Sequence, residues 1–232
     1  MYDKIFHVPH SSDFIPSGFI DDYLIKGDEL SNEINIMKDD YTDKITKGFS
    51  DVLKFPYSRV FCDVERFDGD KEVMNKVGMG IIYTHSHDLK LIRVPKKVDK
   101  IKKIYNEHHD KFNSMVKDKL KKGKKVLILD IHSYSDKPLP YELFKDLKRP
   151  DICLGVDDFH LDKKSLDKII YKIRREGFSY SINEPFKGCI IPSDYYMKNS
   201  DVKGIMIEFN KETLLKDFEK NRSIIKWIKE NI

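Results

Sequence analysis

The strongest constraint on the fold comes from two runs of continuous apolar residues that lie far apart in the chain. The first is Val126-Leu-Ile-Leu-Asp130, and the second is Ile205-Met-Ile-Glu208. A strand that is apolar at every position, rather than at alternate positions, is typical of a central strand buried on both faces of a sheet. We therefore predict a sheet that other elements cover on both sides.

Amphipathic segments between short apolar runs supply the predicted covering layers. Apolar side chains recur close to a 3.6-residue period over 96–122 and 163–176, and a third helix is predicted over 211–230. Short apolar runs predict strands over 5–8, 59–64, 126–131, 152–155, 179–183 and 204–209. Strands that alternate with helices favour an α/β fold. No change in composition divides the chain, so a single domain over 1–232 is expected.

The charge balance and the cysteine content argue against several classes of protein. The 43 Lys and Arg residues nearly balance the 39 Asp and Glu residues, and the lysine clusters have no aromatic residues beside them, which disfavours a nucleic-acid-binding surface. Three cysteines without a CxxC pair favour a reducing compartment. Because neither a signal-peptide pattern nor a membrane-spanning run is present, we expect a cytoplasmic protein without membrane or nucleic-acid partners.

Polar side chains stand at the ends of three predicted strands. His10 follows the first strand, His132 follows the most apolar strand, and Glu208 lies in or at the end of a third. Functional residues of an α/β sheet lie beyond the carboxyl ends of its strands. Two histidines and acids that converge there match a catalytic zinc site, which needs three N or O ligands and an open position for water. Either histidine taken alone is more typical of a hydrogen-bonded loop residue.

Two acids have predicted roles beside these histidines. An unpaired carboxylate in a buried strand is energetically costly, so Glu208 is expected to be functional, as the general base that acts on the water. Asp130 is two residues before His132 and is expected to orient an imidazole, as acids around metal-bound histidines do.

The third ligand is open between two acids at this point. Asp13 stands three residues after His10, a spacing that zinc carboxypeptidases use to place two ligands in one loop. Asp39 and Asp43 would share one face of a helix and repel each other unless a cation lies beside them. A solvent-exposed acid pair explains these two residues equally well.

Six motifs in sequence order give the chain a resemblance to a known family. They are Val8-Pro-His-Ser-Ser12 with Ile15-Pro16, Asp39-Asp-Tyr-Thr-Asp43, Ser58-Arg-Val-Phe-Cys-Asp-Val-Glu-Arg-Phe67, Asp130-Ile-His-Ser-Tyr134 with Pro138-Leu-Pro-Tyr-Glu142, Arg149-Pro-Asp-Ile-Cys-Leu-Gly155 and Ile205-Met-Ile-Glu-Phe-Asn210. Together they resemble the N-formylglutamate amidohydrolase family. The resemblance implies a zinc exopeptidase-like (phosphorylase/hydrolase-like) fold, with three α/β/α layers and a mixed sheet of about eight strands. It also implies hydrolysis of N-formyl-L-glutamate to formate and L-glutamate, a step of histidine degradation.

The same resemblance implies roles for individual residues. His10 and His132 match the two histidine motifs of the family. Glu208 matches the strand-borne glutamate that is the general base in the carboxypeptidase-like superfamily. The acidic pair at 39 and 43 is recurrent, whereas the position of Asp13 is often not acidic, so Asp43 is favoured as third ligand and Asp13 is the alternative.

A substrate with two carboxylates needs cationic side chains around it. Arginine binds a carboxylate through two parallel hydrogen bonds, so Arg66 is the first choice and Arg59 the second. Arg59 is explained equally well as the partner of an acid such as Asp63. Asn183 ends a predicted strand and is expected to line the site, with a plain turn as its alternative. Supporting positions around the ligands are predicted for Asp39, Asp130 and, unless it is a surface residue, His109.

The sequence therefore predicts a metal-dependent amidohydrolase that acts on an N-acyl amino acid. Zn²⁺ is the expected ion, although imidazole and carboxylate ligands suit other divalent metals. One alternative is a deacylase or peptidase with the same core that acts on another N-acyl amino acid or on a peptide. A second alternative is a non-catalytic binding domain on a degenerate hydrolase scaffold. The sequence does not indicate an oligomeric state.

Overall fold

The computed structural model describes residues 2–142 and 145–232. The strands in this part of the chain are β1 (Asp3–Val8), β2 (Val52–Lys54), β3 (Val126–Tyr134), β4 (Ile152–Gly155), β5 (Tyr180–Ile182) and β6 (Val202–Asn210). They form one sheet in the order β2-β1-β3-β6-β4-β5. Neighbouring strands are parallel except for β4 and β6, which are antiparallel, so the sheet is mixed as expected.

The helices lie mainly where the apolar period places them. They are α1 (Gly27–Met37), α2 (Thr42–Ile45), α3 (Val98–Lys121), α4 (Lys163–Arg175), α5 (Lys211–Lys216) and α6 (Phe218–Asn231), with 3₁₀ helices at Ser17–Asp22 and Val73–Val77. The helix predicted over 211–230 is interrupted at Asp217, whose φ and ψ of −118° and 43° are not helical. No helix in the described ranges is long and apolar enough to cross a membrane.

Two expectations about the strands need correction. The residues described contain six strands, so the expected number of about eight is not confirmed. The apolar run at 59–64 is buried but forms turns instead of a strand, because the amides of Phe61 and Cys62 both donate to the carbonyl of Ser58. Burial of an apolar run is compatible with either structure, and here the local hydrogen bonds decide between them.

The two faces of the sheet pack against different helices. Successive side chains of a strand point to opposite faces. Phe6 of β1 and Leu127 of β3 belong to the core that includes Ile224 of α6 and residues of α4. On the opposite face, Ile128 of β3 packs in a separate cluster with Phe112 of α3.

The face toward α3 changes from apolar to polar as the central strands approach their carboxyl ends. His7 of β1 is paired in register with Asp130 of β3, and His132 of β3 is paired with Glu208 of β6. Paired residues point to the same side of a sheet. The fold therefore groups two imidazoles and two carboxylates on one face, and all four side chains are buried.

Loop 183–191 crosses the same face beside β4 and β6. A Cβ atom at Gly155 would lie 2.0 Å from the carbonyl oxygen of Gly188, so only glycine permits this approach. We predict that Gly155→Ala lowers the free energy of unfolding by about 1–3 kcal/mol, because the loop must move away. Chemical denaturation measures this loss. Gly18→Ala is the matched control, since a Cβ there meets no described atom within 4 Å; equal stability of the two variants would contradict the prediction.

Candidate metal centre

Two histidines and one glutamate bring three ligand atoms together at the carboxyl ends of the central strands. His10 follows β1, His132 lies in β3, and Glu65 lies in the loop after the buried turns. One ligand atom from each lies within 4.8 Å of the other two. Glu65 Oε2 is 3.1 Å from His132 Nε2 and 4.0 Å from His10 Nδ1. Ligands held about 2.1 Å from a tetrahedral zinc ion are roughly 3.4 Å apart, so these separations suit an ion.

The nitrogens that face this centre are buried without hydrogen bonds. Neither His10 Nδ1 nor His132 Nε2 has a hydrogen-bond partner among the described residues. Carboxylate oxygens of Glu65 and Asp130 lie 3.1 Å from His132 Nε2 but form no hydrogen bond with it. A buried polar atom without a partner is costly. A cation bound between these atoms removes that cost, so the residues present fit a metal ion.

Each imidazole is held from behind by a carboxylate. His132 Nδ1 lies 2.9 Å from Asp39 Oδ2, and His10 Nε2 lies 2.9 Å from Asp63 Oδ1. Since a carboxylate only accepts, these nitrogens carry protons, and the opposite nitrogens are the ones that a metal ion would bind in place of a proton. Metal-bound histidines are fixed in this way. Asp39 therefore has the supporting position that the sequence predicts.

Arg59 joins the two supporting carboxylates. Its guanidinium lies 3.3 Å from Asp39 Oδ1 and 3.0 Å from Asp63 Oδ2, and the hydroxyl of Tyr83 donates to Asp63 over 2.7 Å. Burial opposes ionisation of Asp63, but Arg66, His10 and Arg59 lower its pKa well below the usual range. The structure places Arg59 as the partner of these acids, which is the alternative to its predicted substrate-binding role.

Loss of one supporting carboxylate is expected to weaken metal binding without abolishing it. We predict that Asp39→Asn weakens the affinity for Zn²⁺ by about 10- to 100-fold, because His132 loses the acceptor that fixes its ring and raises its basicity. Competition with a chromophoric chelator measures the affinity. Asp40→Asn is the matched control, since Asp40 pairs only with Lys38 and Lys211 within the described residues; an equal loss in both variants would refute the role of Asp39.

Arg66 is engaged by the protein in the same network. It donates to the carbonyl of Met79 over 3.2 Å, and its Nη2 atom lies 3.5 Å from both Tyr83 Oη and Asp63 Oδ2. Its side chain is 18% exposed, compared with 12% for Arg59. A contact of Arg66 with a substrate stays a prediction.

Glu208 is buried next to the centre. It stands opposite His132 across β3 and β6, and its Oε2 atom has no hydrogen-bond partner among the described residues. Burial raises the pKa of Glu208 to about 8, although the charge of His132 acts in the opposite direction. A carboxyl group with a pKa near neutrality is suited to both accepting and returning a proton.

Asp130 lies between two imidazoles. Its Oδ1 atom is 2.9 Å from His7 Nδ1 and 3.1 Å from His132 Nε2. Asp130 lies beside the metal-facing nitrogen of His132 and not beside the outer nitrogen that an orienting acid would hold, and its hydrogen bond is to His7 instead. His7 is an additional buried histidine that sequence reasoning missed. His109 of α3 is in neither group of potential ligands; its ring lies 4.3 Å from that of Tyr105, and burial lowers its pKa.

The structure does not bring the predicted third ligands to the histidines. Asp43 pairs with Lys54 over 3.3 Å and its side chain is 39% exposed, while the side chain of Asp13 is 72% exposed. Asp39 precedes α2 instead of lying in one helix with Asp43, because Tyr41 between them has a left-handed φ of 67°. The two acids therefore point to different environments, and Glu65 replaces Asp43 and Asp13 as third candidate ligand.

Asn183 holds a turn together. Its Oδ1 atom accepts from the amides of Val156 and Gly188, and its Nδ2 atom donates to the carbonyl of Val156. With φ at 56°, its backbone is in the left-handed region, which asparagine adopts more readily than most residues. These bonds agree with the turn that was the alternative to a pocket-lining role.

The position of Glu65 in the sequence indicates a functional acid. Glu65 lies in the motif Asp63-Val-Glu-Arg66, which directly follows the buried apolar run. The sequence predicts a substrate-binding role for Arg66 in this motif and no role for Glu65. An acid that follows a buried run satisfies the same criterion that singled out Glu208.

Comparison with known proteins shows the family of the chain. A family model described as N-formylglutamate amidohydrolase matches residues 3–215. The chain belongs to the N-formylglutamate amidohydrolase family. Membership confirms the resemblance and supports an enzyme that hydrolyses an amide. None of the curated proteins matches the chain in sequence.

Two solved structures share the fold of this family member. The N-formylglutamate amidohydrolase of Ralstonia eutropha JMP134 is similar with a TM-score of 0.78 and 17% identity, over 100% of this chain and 95% of that one. A gene product of Agrobacterium tumefaciens is similar with a TM-score of 0.68 and 16% identity, over 99% and 88% of the two chains. At such identities the likeness shows the fold alone.

Proposed function

We propose that this protein is a metal-dependent amidohydrolase that cleaves N-formyl-L-glutamate to formate and L-glutamate. The observation that carries the proposal is the group of buried His10, partly buried Glu65 and buried His132, whose ligand atoms lie within 4.8 Å of one another. Zn²⁺ is the proposed ion, and other divalent first-row ions suit the same ligands. The proposed setting is histidine degradation in the cytoplasm.

The residues of the proposed site either bind the metal ion or hold the metal-binding side chains in place. When bound, Zn²⁺ supplies a Lewis acid that lowers the pKa of water to about 7 and polarises a carbonyl oxygen. His10, Glu65 and His132 would hold the ion, and three protein ligands leave a position open for water or substrate. Asp39 and Asp63 keep the two imidazoles in the tautomers that ligation requires.

Glu208 is proposed to move the proton in the reaction. Its carboxylate accepts a proton from the water whose oxygen attacks the formyl carbon. It then delivers that proton to the nitrogen of the glutamate product as the C–N bond breaks. Support for this role comes from its burial, its place opposite His132, and an Oε2 atom without a hydrogen-bond partner in the described residues.

The substrate's two carboxylates are proposed to be recognised by cationic side chains near the centre. Arg66 is the proposed contact, because the carboxylates of Asp39 and Asp63 already occupy Arg59. A polar cavity of about 430 Å³ beside the loop after β1 offers no net positive charge, because Lys38, Lys44 and Lys54 are balanced there by Asp13, Asp40 and Asp43. It therefore does not replace Arg66 as the proposed contact.

The proposed function is tested by metal analysis followed by an assay of formate release. We expect purified protein to contain a divalent metal and to release formate from N-formyl-L-glutamate, faster than from the N-formyl derivatives of neutral amino acids. N-acetyl-L-glutamate, assayed by release of free glutamate, tests the alternative of another acyl group. A metal-loaded protein that releases no formate from N-formyl-L-glutamate would contradict the substrate. A protein without affinity for metal would contradict the chemistry.

A further inference from the structure

We propose that the protein binds a second metal ion beside the first, held by His7, Asp130 and Glu65. The inference rests on the proposed function because the two ions would share Glu65. It adds a ligand set that the one-metal reaction does not use. His7 and Asp130 are paired in register on the neighbouring strands β1 and β3, so the sheet itself would carry two ligands of the second site.

The three side chains meet the geometric requirements of a ligand set. One ligand atom from each lies within 4.8 Å of the other two. His7 Nδ1 is 2.9 Å from Asp130 Oδ1 and 3.5 Å from Glu65 Oε1. These separations resemble the roughly 3.4 Å expected between ligands of a tetrahedral ion. Glu65 Oε1 is buried and has no hydrogen-bond partner among the described residues.

Two carboxylates span the gap between two imidazoles. Glu65 directs Oε2 to His132 Nε2, at 3.1 Å, and Oε1 to His7 Nδ1, at 3.5 Å. Asp130 Oδ1 is 3.1 Å from the same His132 nitrogen and 2.9 Å from the same His7 nitrogen. Carboxylates shared in this way are the bridges that hold two ions about 3.5–4 Å apart in two-metal hydrolases.

His7 Nε2, the nitrogen that faces away from the proposed second site, contacts another histidine. His7 Nε2 lies 2.9 Å from His108 Nε2, and both side chains are buried. One of the two nitrogens must donate in this contact. His7 Nδ1 lies 2.9 Å from Asp130 Oδ1, and because a carboxylate only accepts, this nitrogen carries a proton that a bound metal ion would displace. With the ion in place, His7 Nε2 would donate to His108. The bond to His108 then fixes the ring, as outer partners of metal-bound histidines do.

The space between His7 and two carboxylates can hold a proton or a metal ion. Arg59 and Arg66 match the carboxylates of Asp39 and Asp63 in charge. Glu65 and Asp130 remain beside His7, whereas burial raises the pKa of Glu208 to about 8, so Glu208 adds little negative charge near neutral pH. Either a proton on His7 or a second metal ion therefore lies between this imidazole and the two acids.

Metal stoichiometry distinguishes a second ion from a proton. Full-length protein is stripped with a chelator and titrated with Zn²⁺, and native mass spectrometry counts the bound ions. We expect two ions in the wild type and one in His7→Gln and Asp130→Asn. His87→Gln is the matched control, because His87 is held by the carboxylate of Glu33 but belongs to neither ligand group, and it should bind two.

Electron paramagnetic resonance of the Mn²⁺-loaded wild type then locates the second ion. Two Mn²⁺ ions that share carboxylates should give an exchange-coupled spectrum, which separates this site from an adventitious one even when a variant fails to fold. Two uncoupled ions would overturn the proposal. One ion in the wild type, lost in His132→Gln, would overturn the second site and leave the proposed function intact. No bound ion at all would overturn both.

Discussion

Replacement of Glu208 by Gln is expected to lower kcat by about 10²- to 10⁴-fold and to leave the metal content unchanged. The amide keeps the size of the side chain but cannot accept the proton of the attacking water. Glu208 is not one of the grouped ligand atoms, so metal binding does not depend on it. Steady-state formate release and metal analysis of the same preparation measure the two quantities.

The control for this variant is Glu212→Gln, which makes the same chemical change on the exposed start of α5. It should retain wild-type kcat and metal content. Retention of wild-type turnover by Glu208→Gln would remove the general base from the proposed reaction. Loss of metal in Glu208→Gln would instead show that Glu208 is a ligand.

Glu65→Gln is expected to reduce both metal binding and turnover to near background. Glu65 contributes an oxygen to each of the two ligand groups, so its loss removes the one carboxylate that they share. The weakening should exceed the 10- to 100-fold that is typical for loss of an outer partner, since a ligand itself is removed. Chelator competition measures the affinity, and formate release measures turnover.

Asp43→Asn is the matched control for Glu65, because the sequence alone favoured Asp43 as the third ligand. Asp43 pairs with Lys54 at the surface, so its amide variant should behave like the wild type. The opposite pattern, with metal lost in Asp43→Asn and kept in Glu65→Gln, would restore the assignment made from the sequence.

The regular core of the fold was predictable because its strands are buried on both faces. The continuous apolar runs placed β3 and β6 within three residues of their ends, and the run over 152–155 coincides with β4. The run at 59–64 was predicted as a strand because burial makes it apolar, but turn hydrogen bonds to Ser58 fold it back. The apolar pattern of a sequence indicates which residues are buried, but it does not indicate which backbone hydrogen bonds they form.

The candidate site was predictable where strands carry it and not where loops carry it. His10, His132 and Glu208 were found because strand ends meet at one edge of a sheet. Glu65 and Asp39 lie outside the strands, and long-range packing sets their positions. Asp39 was expected to share a helix face with Asp43. Tyr41 between them has a left-handed φ, so the two acids do not lie in one helix. No local pattern contains that information.

Anomalous diffraction at the zinc edge, from crystals of zinc-loaded protein, tests the central claim most directly. The account predicts an anomalous peak within about 2.0–2.2 Å of His10 Nδ1, His132 Nε2 and a carboxylate oxygen of Glu65. A peak beside Asp43 or Asp13, or the absence of a peak between the two histidines in zinc-saturated crystals, would contradict it.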